Sequence, residues 1–196
     1  CGAVLRNDAL QSAAKAKQGC PQCRVQQFAF DSAFCLGSYE GSLAEAVLRM
    51  KYAPGQPLAY ALGRLLARRI GIANCQDWFD LVTCTPKYWV KRLLTGVNSP
   101  EVIMQGLAAD AKLPFAADLL NCRRKIEKQS SLSVRRRQQN VKNAWMASGK
   151  YELNDARILL VDDILTTGAT ADSMAKALKQ YGACQVSIAV VGRATR

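Results

Sequence analysis

The chain contains no histidine. That removes imidazole bases, Ser–His–Asp catalysis and histidine metal ligands together. A zinc-type site must then be built from cysteine or carboxylate. Acids are scarce as well: 15 Asp and Glu stand against 27 Lys and Arg, a formal charge of +12. No apolar run approaches the roughly 18 residues needed to cross a bilayer, so no integral membrane segment is expected. The pattern of a signal peptide is missing, which leads us to expect a cytoplasmic protein. Neither a Walker A motif nor G-x-G-x-x-G occurs, which argues against a nucleoside triphosphatase or an NAD enzyme. The sequence begins at Cys1 without a methionine, as expected of a trimmed chain.

What is present fits a globular chain. Its 196 residues suffice for one full core with a small appendage. The excess of cations suits a polyanionic partner, such as a phosphorylated ligand, nucleic acid or an acidic membrane surface; a merely basic surface is the plainer alternative. Eight cysteines occur. Cys75, Cys84, Cys122 and Cys184 are scattered singly and read as reduced packing residues. Cys1, Cys20, Cys23 and Cys35 crowd the N-terminus. Cys20-Pro-Gln-Cys23 is a C-x-x-C knuckle able to chelate zinc through two thiolates. Cys1 supplies a third ligand, and the fourth is either a residue preceding it or Cys35. Redox chemistry and coincidence are the alternatives, and no thioredoxin-like βαβ context supports the first.

The most informative stretch is Ile158-Leu-Leu-Val-Asp-Asp-Ile-Leu-Thr-Thr-Gly-Ala-Thr170. Its continuous apolar start reads as a buried parallel strand. The strand ends in Asp162 and Asp163, a small polar turn follows, and then a helical pattern begins. Backbone N–H groups at a helix start are unpaired, and the helix dipole favours an anion there. Gly168 permits a tight turn, and the threonine hydroxyls can donate to phosphate oxygens. Two adjacent acids beside a phosphate site make sense if they accept hydrogen bonds from vicinal hydroxyls, such as those of a ribose, near a ligand-borne Mg²⁺. An ordinary strand end with two solvated acids is the alternative.

The rest of the chain alternates helices and strands. Ser42 and Glu45 predict a capping box opening a helix that ends near Lys51-Tyr52, ahead of Pro54-Gly55-Gln56-Pro57. Leu58 to Ile70 predicts a second helix closed by Gly71, with Arg64, Arg68 and Arg69 on a solvated face. Asp80 to Thr85 predicts a strand, followed by a cationic and aromatic loop from Pro86 to Arg92. Ser99 as N-cap, with Pro100, marks another helix start. Phe115 to Leu120 is a short extended candidate. Residues 123–142 carry eight cations against one acid and predict a mobile basic loop leading into a helix from about Ser133 to Trp145. A helix over Ala171 to Tyr181 and a buried strand over Val186 to Val191 close the pattern. Such alternation predicts an open α/β sheet with its ligand at the strand C-terminal ends.

Residues 158–170 resemble the signature of type I phosphoribosyltransferases, which bind phosphoribosyl pyrophosphate (PRPP). With the N-terminal knuckles, Tyr39-x-Gly41-x-Leu43, Met50-Lys51-Tyr52, Gln129-x-x-Leu132, Arg137-x-x-Asn140 and Ala144-Trp145, nearly the whole chain resembles the ComF/GntX branch of that fold. Where that family has Arg-Gly-Phe-Asn-Gln, this chain has Thr95-Gly96-Val97-Asn98-Ser99 and keeps only the glycine and asparagine. The resemblance implies a mostly parallel sheet flanked by helices over residues 36–196, with a zinc ribbon over 1–35. It places Asp162 and Asp163 on the ribose hydroxyls, and Thr166, Thr167, Gly168, Ala169 and Thr170 around the 5′-phosphate. Thr85, Pro86, Lys87 and Tyr88 would form the pyrophosphate loop, with Mg²⁺ arriving on PRPP. It further implies a role in natural competence and DNA uptake, with pentosyl transfer from PRPP to an unidentified acceptor as the alternative. No general base and no acceptor pocket can be read. Arg123, Arg124, Arg135, Arg136 and Arg137 are candidates for contacting single-stranded DNA, with Tyr88, Trp89 and Trp145 able to stack on bases or to serve as core residues.

Overall fold

The computed structural model describes residues 27–71, 78–86, 97–122 and 144–194. Six strands and four helices lie within them. The strands are β1 Ser32–Ser38, β2 Leu81–Cys84, β3 Leu120–Cys122, β4 Trp145–Ala147, β5 Arg157–Leu165 and β6 Gln185–Arg193. The helices are α1 Gly41–Arg49, α2 Gln56–Ile70, α3 Ser99–Ala111 and α4 Ala169–Gln180. A 3₁₀ turn, Ala53–Gly55, joins α1 to α2.

The main sheet has the order β1-β6-β5-β2, with every neighbouring pair parallel. The apolar run of β5 explains itself in this setting. Ile158 and Leu160 pack on one face with Val186, Ile188, Met174 and Leu178. Leu159 and Val161 pack on the other with Ala189, Val191, Leu66, Ile103 and Leu107. Successive residues alternate between faces, and helices cover both, so the run is apolar throughout. β3 and β4 form a separate antiparallel pair with Cys122 opposite Trp145. Cys122 and Trp145, far apart in the sequence, therefore lie side by side.

α2 and α3 cross at unusually close range. A Cβ at Gly63 would lie 2.1 Å from the Ile103 carbonyl oxygen, and one at Gly106 would lie 2.1 Å from that of Tyr60. Only hydrogen side chains at both positions allow the two backbones to touch. Arg64 and Arg68 lie on a solvated face as expected, and from it they also hold Asp110 of α3: Nε to carboxylate distances are 2.8 and 3.1 Å.

Several boundaries differ from expectation. β1 was not legible as a strand, and the boundary expected between residues 35 and 36 falls inside it. The capping box fails: α1 is capped by Glu40, and no side chain bonds the helix end. α2 starts at Gln56, because Pro57 in the first turn is compatible with a helix start, while Gly71 ends it in the left-handed region as expected. α3 is capped by Asn98, and the Ser99 hydroxyl donates to the Met50 carbonyl at 2.9 Å instead. Trp145 belongs to β4 rather than to the end of a helix. Phe115 makes only a single bridge, to Val82, beside β2.

Candidate phosphoribosyl site

The candidate site lies at the C-terminal ends of β5 and β2. A cavity of 580 Å³ is lined by Lys51, Asp162 to Thr166 and Thr167 to Ala171. The structure thus brings together both predicted acids and the whole predicted phosphate turn. Gly168 adopts φ 80° and caps α4. Its left-handed conformation turns the chain from the strand directly into the helix start. The Asp172 N–H closes onto the Gly168 carbonyl at 2.8 Å. A Cβ on Gly168 would approach Phe28 Cε1 to 2.9 Å, so the turn is backed by an aromatic ring. Phe28 in turn stacks on Phe30, and the intervening Ala29 N–H donates to Asp172 Oδ1 at 2.7 Å. On the other side Arg193 Nη1 donates to the carbonyls of Leu165 (2.7 Å), Ala194 (3.0 Å) and Thr166. One guanidinium therefore ties the end of β5 and the start of the turn to the end of β6.

The acids are arranged by their own backbone. The Asp163 N–H donates to Asp162 Oδ1, and the Ile164 N–H donates to Asp163 Oδ1, each at 2.8 Å. Burial pushes the Asp162 carboxyl well above the usual carboxylate range, and the adjacent Asp163 adds to the effect. The Asp163 N–H and the Thr85 side chain act in the opposite direction. Thr85 Oγ1 is buried beside Asp162 and exerts this influence without completing a hydrogen bond of good geometry. The position of Thr85 is fixed by its own N–H on the Val161 carbonyl (2.9 Å) and by Asn98 Nδ2 on its carbonyl (3.5 Å). Asn98, one of the two residues retained from the family-like segment, thus braces the predicted pyrophosphate loop at its first residue.

Lys51 was not expected in the site. It enters from the turn after α1, and Nζ lies 3.5 Å from Asp163 Oδ2. The available signal was the Met50-Lys51-Tyr52 triplet, but no spacing in the sequence connects it with residue 163.

Of the other candidates, Pro86 follows Thr85 at the end of β2. Lys87, Tyr88 and Trp89, the cations Arg123, Arg124, Arg135, Arg136 and Arg137, and the cysteines Cys1, Cys20 and Cys23 lie outside the described residues. Cys35 sits in β1, partly buried, and burial pushes its thiol upward. Cys84 is buried, Cys122 partly so, and Cys184 is exposed, donating to the Asp155 carbonyl at 2.9 Å. Trp145 is a core residue, 8% exposed, although its indole N–H has no partner among the described residues. Among the described residues no helix is long and apolar enough to cross a membrane.

Comparison with known proteins agrees with this geometry. A family model described as the phosphoribosyl transferase domain matches residues 105–194, which include β5, the phosphate turn and α4. Competence protein F of Haemophilus influenzae is 27% identical over 181 residues, covering 90% of this chain and 79% of that protein. The DNA utilization protein YhgH of Escherichia coli K12 is 23% identical over 172 residues, covering 86% and 75%. Among solved structures, glutamine PRPP amidotransferase from B. subtilis superposes with a TM-score of 0.47 at 21% identity, covering 69% of this chain and 26% of that one. With the motif, the parallel sheet and the domain match over residues 105–194, the chain has the phosphoribosyltransferase fold, and over most of its length it is similar to competence protein F and YhgH.

Proposed function

We propose that the chain binds PRPP, with Mg²⁺ carried on the pyrophosphate, and serves DNA uptake or utilization in the cytoplasm. The observation that supports this reading most is the shared cavity. It puts two adjacent carboxylates and a glycine-capped helix start within one wall. The helix start suits a 5′-phosphate, and the acids suit a vicinal diol. In such a site the protein's contribution is to position the ligand and balance its charge. The DNA role rests on the names of the relatives and on the basic stretch after Cys122. In the same proposal a structural zinc is held by Cys1, Cys20 and Cys23, and the arginines from 123 to 137 contact single-stranded DNA.

Turnover is the second reading. Pentosyl transfer would break the C1–O bond of PRPP, form a bond from C1 to an acceptor nucleophile and release pyrophosphate with the electron pair of the broken bond. The discriminating experiment incubates the purified chain with PRPP–Mg²⁺ across a panel of bases and amines and measures pyrophosphate. Acceptor-dependent release makes the chain a transferase. Binding of PRPP without release leaves it a binding protein, and failure to bind PRPP contradicts both. For DNA, a fluorescence titration with single-stranded oligonucleotide should weaken steeply as salt rises; a flat response removes that partner.

A further inference from the structure

We propose that Lys51 recognises the anionic substituent at C1 of the phosphoribosyl ligand and so selects PRPP over ribose 5-phosphate. The inference rests on the phosphoribosyl reading of the site and adds a residue that reading does not use. Lys51 is 43% exposed and comes from a different element than the acids and the phosphate turn. Its place is built. Met50 before it is fully buried, and the Met50 carbonyl accepts the buried Ser99 hydroxyl at 2.9 Å. Gly55 packs so tightly on the same turn that a Cβ there would lie 2.2 Å from the Arg49 carbonyl oxygen. The turn that carries Lys51 is thus fixed, and from it the side chain reaches Asp163.

The partner it has now is a weak one. At 3.5 Å the contact with Asp163 Oδ2 is longer than the 2.7–2.9 Å of a charge-assisted hydrogen bond. Asp163 Oδ1 is already engaged by the Ile164 N–H, so Oδ2 is the oxygen that a ligand hydroxyl would take. A diol arriving at Oδ2 competes with Lys51 for it. On a ribose, the diol carbon C2 adjoins C1, so the cation beside the diol is next to whatever C1 carries. In PRPP that is a pyrophosphate; in ribose 5-phosphate it is an uncharged hydroxyl. Lys51 can thus exchange a loose carboxylate contact for a phosphate contact as the ligand seats.

The test is calorimetric titration of the wild type, Lys51→Met and Lys51→Arg with PRPP–Mg²⁺ and, separately, with ribose 5-phosphate. Thermal melts confirm that each variant is folded. The expected result is a loss of tenfold or more in PRPP affinity for Lys51→Met, with ribose 5-phosphate affinity changed less than twofold. Lys51→Arg keeps the charge and should recover most of the PRPP affinity. Equal losses for both ligands, or no loss for either, would overturn the assignment while leaving the phosphoribosyl reading standing. A wild type that binds neither ligand would overturn both.

Discussion

At the scale of single residues, the site is defined by one carboxyl kept where it is least comfortable. Asp162 is raised because burial and its neighbour both oppose its charge. An acid whose folded value lies above its unfolded value binds more protons when folded. Its contribution to stability is therefore neutral below the ordinary carboxylate value and turns unfavourable as pH rises through the raised one. Asp162→Asn removes the charge and keeps an oxygen for the Asp163 N–H. We expect this variant to melt higher than the wild type at pH 8, with the gain shrinking towards pH 4. Each kcal/mol recovered moves the midpoint by about 2–4 °C in a chain of this size. Loss of stability at pH 8 would contradict the electrostatic account. The acids and the phosphate turn were readable in the sequence because strand, diol acceptors and helix start are contiguous. Lys51, Phe28 and Arg193 were not, since each reaches the site from a remote segment through a tertiary contact.

At the scale of elements, the apolar run of β5 and the cap at Gly71 were legible because one segment contains the whole signal. β1 was missed for the opposite reason. Its sequence, Ser-Ala-Phe-Cys-Leu-Gly-Ser, has little β-branched character, and it is a strand because β6 offers it a full parallel edge. Trp145 was likewise expected at the end of a helix but pairs with Cys122 in a strand; the rest of that expected helix lies outside the described residues. The proximity of α2 and α3 is a further element-level property invisible to periodicity, since a small residue inside a helix has several explanations. Gly63→Ala places a methyl 2.1 Å from a carbonyl oxygen and forces the helices apart. The expected cost is about 3 kcal/mol, at the upper end for overpacking and well above the gain in helix propensity of about 1 kcal/mol. Gly149→Ala, where a Cβ meets nothing within 4 Å, serves as the control and should be near neutral in denaturant melts. Equal effects at the two positions would show that the crossing is not held by contact.

At the scale of the molecule, charge and cysteine content lie mainly outside the part that builds the site. The net charge of +12 reflects Lys and Arg spread over the chain, with a concentration in residues 123–142. The sheet, by contrast, keeps its acids at the ligand end. If Cys20 and Cys23 hold a structural zinc, metal analysis of the purified chain will give about one zinc per chain. Cys20→Ser with Cys23→Ser should remove it and lower the melting point. A metal-free wild type would end the zinc proposal without touching the phosphoribosyl site.

The central claim is that the end of β5 and the start of α4 hold a phosphoribosyl ligand. It is tested most directly by calorimetric titration of PRPP–Mg²⁺ into the wild type and into the Asp162→Ala, Asp163→Ala double variant, both verified as folded. The account predicts saturable binding to the wild type and none to the double variant. Equal affinity in the two, or no binding to either, would contradict it.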